Sequence, residues 1–175
     1  MTRDTQRGFS MIEVLITIAI LMIGLLGLAG LQTRVATAEL EGYQRAQALV
    51  IVQDIVDRME ANKKNIASYV ANDIGASGTL NCTGRTGADL DICQVNNALV
   101  GTQEQAAGNS LGGMIGGRAC ITNPSANLYI VNVVWQGITP TVAPSGVACG
   151  ANAFGDEKLR RAISIPVRVA TLGAV

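Results

Sequence analysis

The feature that most constrains this chain is an apolar segment at residues 9–31, close to the N-terminus. As a helix its 23 residues extend roughly 34 Å, which is enough to cross a hydrocarbon core about 30 Å thick. Thirteen of them are Phe, Leu, Ile or Val, and we expect these to favour membrane insertion by about 4 to 8 kcal/mol. Glu13 opposes insertion by at most about 3 kcal/mol. The segment is therefore predicted to span a membrane, and the carboxylate inside it indicates a functional site.

The short stretch before this segment carries Arg3 and Arg7 against Asp4. The excess of positive charge predicts that this stretch stays in the cytoplasm and that the rest of the chain is exported. A cleaved signal peptide is one alternative, with residues 27–29 as its cleavage site, but its apolar core is usually shorter and lacks a residue such as Glu13. A plain membrane anchor with an incidental glutamate is the other alternative.

Composition limits the chemistry of the remaining chain. The 175 residues carry no net charge and no run of Lys or Arg, which argues against nucleic acid as a partner. Because the chain has no histidine, it lacks the commonest general base and the commonest neutral metal ligand. With no nucleophile motif either, we expect a protein that is not an enzyme and that needs no cofactor or metal.

Four cysteines follow the apolar segment, at Cys82, Cys93, Cys120 and Cys149. Their spacing matches no zinc motif, and an even number on the exported side predicts two disulfides. Of the three possible pairings, we prefer the sequential one because short loops close most easily. Four buried free thiols are the alternative.

The sequence Gly-Phe-Ser-Met-Ile-Glu at residues 8–13 resembles the processing site of type IV pilins and pseudopilins. The apolar residues after it, and residues 23–32 in particular, are similar to the type IV pilus modification protein (PilV) family of minor pilins. The resemblance is detailed over residues 1–35 and general beyond them. One departure concerns Gly30, where major pilins of this type often have a proline.

The resemblance implies a processing pathway for the N-terminus. A prepilin peptidase would cut between Gly8 and Phe9 and remove residues 1–8 as a leader, and the new amino group of Phe9 would then be methylated. Glu13 would pair with the Phe9 amino group of a neighbouring subunit during assembly. Physics supports this role, because a carboxylate in a low dielectric attracts a cation strongly and pairing offsets much of its desolvation cost.

The implied function is that of a minor pilin in the initiation or tip complex that primes type IV pilus assembly and supports twitching motility and adhesion. Its partners would be other minor pilins, the major pilin, the inner-membrane assembly platform and the prepilin peptidase. Before assembly it would be a single-pass protein of the bacterial inner membrane with a periplasmic C-terminal domain, and afterwards part of the pilus fibre near the tip. By analogy with the family, a subunit at the very tip can dispense with this glutamate because no subunit lies above it to pair with. A chain that keeps Glu13 is therefore expected to lie beneath another subunit.

Two alternatives to this function remain open. A minor pseudopilin of a type II secretion system would use the same processing signal and the same helix. A pilus-associated adhesin would bind its ligand through the loops at residues 71–87 or 142–154.

Glycines recur every third residue within the apolar segment, at Gly24, Gly27 and Gly30. Glycine weakens a helix by about 1 kcal/mol relative to alanine, so this stretch is a candidate for bending without a proline. Close packing of a second helix against these small residues is the alternative, although the spacing is not that of a GxxxG motif.

Residues 32–70 are predicted to continue the same helix without a break and to be amphipathic. The apolar face is predicted to contain Ala48, Leu49, Val52, Ile55, Val56 and Met59. The solvated face is predicted to contain Gln44, Gln53, Asp54, Asp57, Arg58 and Lys64.

Residues 71–175 are predicted to form a soluble, disulfide-bonded domain. Its expected elements are a loop at 71–87, a helix at 88–100, a glycine-rich flexible stretch at 108–117, strands at 117–122, 128–136 and 160–171, and a loop at 145–156. Alternation turns two sets of side chains inward: Tyr129, Val131, Val133 and Trp135, and then Ile163, Ile165, Val167 and Val169. Pro166 indicates an edge strand or a bulge.

The fold class is therefore α+β. A long N-terminal helix, transmembrane in its first half and amphipathic in its second, is expected to pack on a small antiparallel sheet as in pilins.

Overall fold

The structure is a computed structural model that describes residues 8–102, 105–106, 109–110 and 113–170. Its helices are α1 (Met11–Ala61) and α2 (Gly87–Val100), with short 3-10 helices at Lys63–Tyr69 and Glu157–Leu159. Its strands are β1 (Ala71–Ile74), β2 (Gln105–Ala106), β3 (Asn109–Ser110), β4 (Arg118–Ser125), β5 (Leu128–Gln136) and β6 (Arg160–Arg168). The chain divides into two compact units, Met1–Leu40 and Glu41–Val175.

The predicted long helix is present, but it ends earlier than expected. α1 ends at Ala61, and the 3-10 helix Lys63–Tyr69 replaces its predicted last turns. Asn65 leaves the helical region, with φ −117° and ψ 26°, and its side-chain amide donates to the Asn62 side chain at 3.0 Å. Asparagine side chains form local hydrogen bonds that compete with the helix, which explains why the helix breaks here. The sequence does not show the break, because most neighbouring residues favour a helix.

In the second unit, α1 buries one face. The buried residues are Gln44, Ala48, Ile51, Val52, Ile55 and Met59. At about 100° per residue they occupy an arc roughly 100° wide. The prediction of Ala48, Val52, Ile55 and Met59 is confirmed, whereas Leu49 is half exposed and Val56 is only partly buried. Gln44 was expected on the solvated face but is buried, and Ile51 is buried although it was not predicted to be. Both differences arise because the buried arc is centred closer to Ile55 than the pattern of apolar residues indicates.

The main sheet has four antiparallel strands in the order β1-β4-β5-β6. β5 lies between two neighbours, with Val131 opposite Ile121 on one side and Ile165 on the other. Its predicted bounds are confirmed, whereas β4 continues to Ser125 and β6 ends at Arg168. β6 pairs with β5 alone among the described strands, so Pro166 lies on an edge strand as predicted.

The prediction that residues 71–87 form only a loop is wrong, because their first residues form β1. Ala-Asn-Asp-Ile has little intrinsic strand preference, and it becomes a strand by pairing with β4, where Ile74 lies opposite Ala119. The predicted flexible stretch also differs: β3 begins just inside it and forms a two-stranded sheet with β2. Residues 108, 111 and 112 of that stretch lie outside the described residues.

The helix predicted at 88–100 is confirmed as α2. It buries Cys93, Val95 and Leu99 and ends at Gly101, whose φ of 79° is the left-handed conformation that favours glycine after a helix. Asn96 of this helix also holds a segment that precedes the helix, because its side-chain Oδ1 accepts the backbone N–H of Gly75 at 2.8 Å.

The two faces of the sheet have different coverings. The inward residues of β5 pack with the buried face of α1, and Trp135 belongs to this core as expected, 4% exposed. The opposite face of β5 is also buried in part, because Val134 packs with Cys120, Cys149 and Phe154 in a second cluster. The alternation of apolar and polar residues along β5 predicts that this face is exposed to solvent, so the second cluster was not predicted from the sequence.

Candidate functional site

The residues predicted to form the processing and assembly site lie where α1 begins. Gly8, Phe9 and Ser10 precede the helix and are exposed, with Phe9 84% exposed. Glu13 lies in the first turn, where its backbone N–H donates to the Ser10 carbonyl at 3.0 Å. A negative charge at this end of a helix interacts favourably with the helix dipole. Arg3, Arg7 and the other residues of the leader before Gly8 lie outside the described residues.

The Glu13 side chain has no hydrogen bond or ion pair with any described residue, and it is exposed like all residues from 8 to 36. Neighbouring hydroxyls are satisfied locally, because Thr17 donates to the Val14 carbonyl at 2.8 Å. Within the described residues, α1 is the helix long and apolar enough to cross a membrane, judged by length and composition. Glu13 is therefore a charged group within an apolar segment, and no residue that the structure describes is its partner.

The three glycines of the apolar segment leave open space around α1. A methyl group added at Gly24, Gly27 or Gly30 would meet no described atom within 4 Å, and the helix continues through all three positions. The described residues therefore do not use these positions for packing. If the small residues serve close packing, the second helix must come from another molecule.

The disulfides join Cys82 to Cys93 and Cys120 to Cys149, which is the sequential pairing. The first ties α2 to the loop before it, and the second ties the loop after β5 to β4. The sequence separation of the bonded cysteines is 11 in the first disulfide and 29 in the second. Each restricts the unfolded chain and holds a segment that contains little regular structure.

Glu41 is a polar centre that the sequence analysis missed. Its Oε1 accepts the Thr139 backbone N–H at 2.9 Å, the Thr139 hydroxyl at 2.7 Å and the Ile138 backbone N–H at 3.2 Å. Nη2 of Arg161 lies 3.3 Å from the same oxygen. The Thr139 N–H, then its hydroxyl and the Arg161 charge, lower the pKa of Glu41. This carboxylate therefore fixes the segment after β5 to α1.

Arg160 is a second missed centre, on the other side of the sheet. It is 4% exposed, and its Nη1 donates to the carbonyls of Val147 at 2.7 Å and Cys149 at 3.1 Å. Its Nε donates to Glu157 at 2.7 Å, and Glu157 accepts the Asn152 N–H at 2.6 Å. The Asn152 N–H and then Arg160 lower the pKa of Glu157. A buried cation with this many acceptors fixes the loop around Cys149.

A third polar cluster joins α1, α2 and the 3-10 helix between them. Arg58, expected in solvent, is part-buried and pairs with Asp54 at 2.9 Å and Asp91 at 3.0 Å. The single hydroxyl hydrogen of Tyr69 is shared between the Asp91 carboxylate and the Arg58 carbonyl. Burial, and then the hydrogen bond to Asp91, raise the pKa of Tyr69. Asp54 lies four residues before Arg58, a spacing that the sequence shows, whereas no sequence signal marks Asp91 as a partner of Arg58 and Tyr69, because it is far from both along the chain.

None of these polar clusters has the composition of a metal centre. Within the described part of the chain, no three His, Cys, Asp or Glu side chains are grouped so as to hold a metal ion. The polar clusters hold backbone segments and neighbouring side chains.

Two family models match the sequence. The first is described as the prokaryotic N-terminal methylation motif and matches residues 3–29. The second is described as type IV pilin Tt1218 and matches residues 30–107. Neither a curated protein nor a solved structure matches the chain significantly. The first match includes Gly8, Phe9 and Glu13, whereas the second ends before β4.

The matches are broader than the sequence-based expectation in one respect. Neither description names the type IV pilus modification protein family, so that narrower resemblance stays a prediction.

Proposed function

Because the chain is a type IV pilin-like protein, we propose that it is a minor pilin of the type IV pilus modification protein family. In this proposal it joins the initiation or tip complex that primes assembly of a type IV pilus, and it thereby supports twitching motility and adhesion. Pilins assemble with other pilins, and the family match favours a structural role over catalysis. The observation that carries the proposal is Glu13, a charge in an apolar segment that has no partner in the described part of the chain.

In the proposed pathway the precursor is inserted into the inner membrane with residues 9–31 spanning it and the C-terminal domain in the periplasm. The prepilin peptidase cuts between Gly8 and Phe9, and the amino group of Phe9 is methylated. The exposed, non-helical backbone of residues 8–10 supports this step, because a protease needs an accessible extended chain rather than a helix. Residues 1–8 are then lost as the leader.

Assembly would then transfer the helix from lipid to protein. Glu13 receives the Phe9 amino group of a neighbouring subunit, and the exposed apolar side chains of residues 9–31 become part of the filament core. The charge pair offsets part of the desolvation cost of both groups, whereas an unpaired carboxylate would oppose burial. The partners in these steps are other minor pilins, the major pilin and the inner-membrane assembly platform.

The domain organisation in this proposal has four parts. These are the leader at 1–8, the transmembrane and filament-core segment at 9–31, the amphipathic segment at 32–70 and the soluble disulfide-bonded domain at 71–175. The exposure of residues 8–36 supports the second part. The division of the chain into compact units falls later, between Leu40 and Glu41, so the first residues after the apolar segment group with it.

Intact-mass measurement of the membrane-extracted protein tests the processing steps. We expect a mass that corresponds to loss of residues 1–8 and gain of one methyl group. Gly8→Leu should keep the leader, whereas Gly24→Leu, which also replaces a glycine in open space, should be cleaved normally. Normal cleavage of Gly8→Leu would count against the proposed site.

A chromosomal deletion distinguishes the pilus from a type II secretion system. We expect loss of surface pili and twitching with normal secretion of exoproteins. Loss of secretion with normal pili would instead assign the chain to the pseudopilins.

A further inference from the structure

A groove lies on the sheet face opposite α1, in the part that the loop around Cys149 leaves uncovered. Its volume is about 700 Å³. Small-molecule sites have volumes of about 300 to 1,000 Å³. β1 and residues 145–150 form its rims, and outward side chains of β4, β5 and β6 form its floor. Both loop regions that the sequence analysis considered for an adhesin border this one groove.

The lining of the groove is rich in side chains that donate and accept hydrogen bonds. They are Asn72, Asp73, Thr122, Asn132, Ser145 and Ser164. Asn132 is 9% exposed, and its Oδ1 accepts the Ser164 hydroxyl at 2.6 Å. Its Nδ2 makes no hydrogen bond to any described residue. Because this amide nitrogen still reaches the groove, it is free to donate to a ligand that brings an acceptor.

The charge of the lining restricts the ligand. Asp73 is the charged residue among those that the structure places around the groove. Arg118, which lies outside this set, approaches Asp73 at 3.5 Å and both remain partly exposed. Because no cation lines the groove and Arg118 is already paired with Asp73, the lining offers an anionic ligand no free cation to bind. A neutral ligand needs no such cation and can donate to the carboxylate.

The floor of the groove also argues against a bound peptide strand. Peptides that bind through strand addition need an open strand edge. β5, which carries Ile130 and Asn132, is paired with β4 and β6, and β4 is paired with β5 and, as far as Ile121, with β1. They therefore offer side chains rather than backbone groups. Sugar hydroxyls both donate and accept, as do amide and hydroxyl side chains, and Ile130 provides an apolar contact for ring carbons.

From these observations we propose that the outer groove binds a neutral saccharide. Asp73 accepts hydrogen bonds from sugar hydroxyls, and Asn132 donates through its free Nδ2. The Cys120–Cys149 disulfide and Arg160 fix the loop at one rim, so the site is formed before the ligand binds and little ordering cost is incurred. This role goes beyond pilus assembly and does not depend on it.

The test uses the full-length, detergent-extracted protein and saturation-transfer NMR. The probes are neutral oligosaccharides of glucose, galactose, mannose and N-acetylglucosamine, a sialylated trisaccharide and a neutral hexapeptide. We expect at least one neutral oligosaccharide to bind, and the sialylated sugar and the peptide not to bind. Asp73→Asn should weaken binding by about tenfold, because asparagine tolerates the positive φ of this position but lacks the charge.

Ser164→Tyr should abolish binding by filling the groove from an exposed strand position. Ser68→Tyr places the same ring on an exposed residue outside the groove, and Asp57→Asn removes a carboxylate from the exposed side of α1, so neither should change affinity. Thermal unfolding of each variant separates loss of the site from loss of the fold. The proposal is overturned if no neutral saccharide binds, if the peptide or sialylated sugar binds in its place, or if folded Ser164→Tyr binds normally.

Discussion

The two parts of α1 on either side of residue 40 have the same backbone conformation but differ in what they contact. Residues 8–36 are exposed without exception, although most of those in the apolar segment have hydrocarbon side chains. Residues 41–61 bury a continuous arc that includes Val52, Ile55 and Met59. The second part of this helix therefore contributes to the core of a folded domain, whereas its first part stays available to lipid or to other subunits.

Two carboxylates repeat this contrast. Glu13 has no partner among the described residues, whereas Glu41 accepts two backbone N–H groups, a hydroxyl and an Arg161 guanidinium hydrogen. We therefore expect Glu13 to act on assembly alone and Glu41 to act on the stability of the domain. The following variants test this separation.

The largest expected effect is that of Glu13→Ala on assembly. We expect the variant to be absent from sheared pili and from the minor-pilin complex, because its helix no longer attracts the amino group of a neighbour. Its thermal unfolding should match that of the wild type. Glu39→Ala, which removes an exposed carboxylate later in α1, is the control and should assemble normally. Normal incorporation of Glu13→Ala would refute the assembly role.

Truncation of an isoleucine in each part of α1 should separate their contributions to folding. Ile55 is 1% exposed, so Ile55→Ala should lower the free energy of unfolding by about 3 kcal/mol. Ile20 is 64% exposed, and Ile20→Ala should change it by less than about 0.5 kcal/mol. Denaturant titration in detergent, followed by fluorescence of the buried Trp135, gives both values. Equal losses would show that the first part also belongs to the folding unit.

Glu41→Gln should have a moderate, pH-dependent effect on stability. Because the folded state lowers the pKa of Glu41 below its ordinary value of 4.5, the carboxylate stabilises the fold above that pH. This contribution is lost as the pH falls through the folded-state pKa. At neutral pH we expect Glu41→Gln to cost about 1 kcal/mol, with a difference from wild type that disappears in acid.

Glu60→Gln is the matched control for this measurement, since Glu60 is exposed on the same helix. It should show no difference from wild type at either pH. A Glu41→Gln difference that stays constant into acid would mean that packing, rather than charge, explains the loss.

The smallest expected effect is a gain in stability, from replacing the buried amide of Gln44. Gln44 is 6% exposed, and its Oε1 has no hydrogen-bond partner within the described residues. Gln44→Leu should therefore raise the free energy of unfolding by about 1 kcal/mol. Gln53→Leu, at an exposed position, should stay within about 0.5 kcal/mol of wild type. A loss of stability in Gln44→Leu would show that the amide is satisfied in solution.

Much of the fold was predictable where local pattern and packing agree. β5 has its predicted bounds, α2 begins one residue early, and the inward residues of β6 alternate as expected. The second cluster around Val134 and Phe154 was not predictable, because a loop without periodicity covers that face. β1 was missed for a related reason, since its strand conformation depends on pairing with β4.

The candidate sites divide in the same way. Gly8, Phe9 and Glu13 are marked by a contiguous motif, so the sequence identifies them without any structure. Glu41, Arg160 and Asn132 carry no such mark, because each acts through partners on distant segments. The side chain of Asn132, for example, contacts Ser164 of the neighbouring strand and faces a groove whose rims are β1 and residues 145–150.

The membrane-length helix, the charge within it and the even number of cysteines can be read from the sequence alone, since hydropathy and motif spacing are local properties. The buried arc of α1, the hydrogen-bonded carboxylate of Glu41 and the position of the outer groove become visible only in the folded structure. These features depend on the helix rotation and loop path that bring remote side chains within a few ångströms, and no local pattern of residues encodes that proximity.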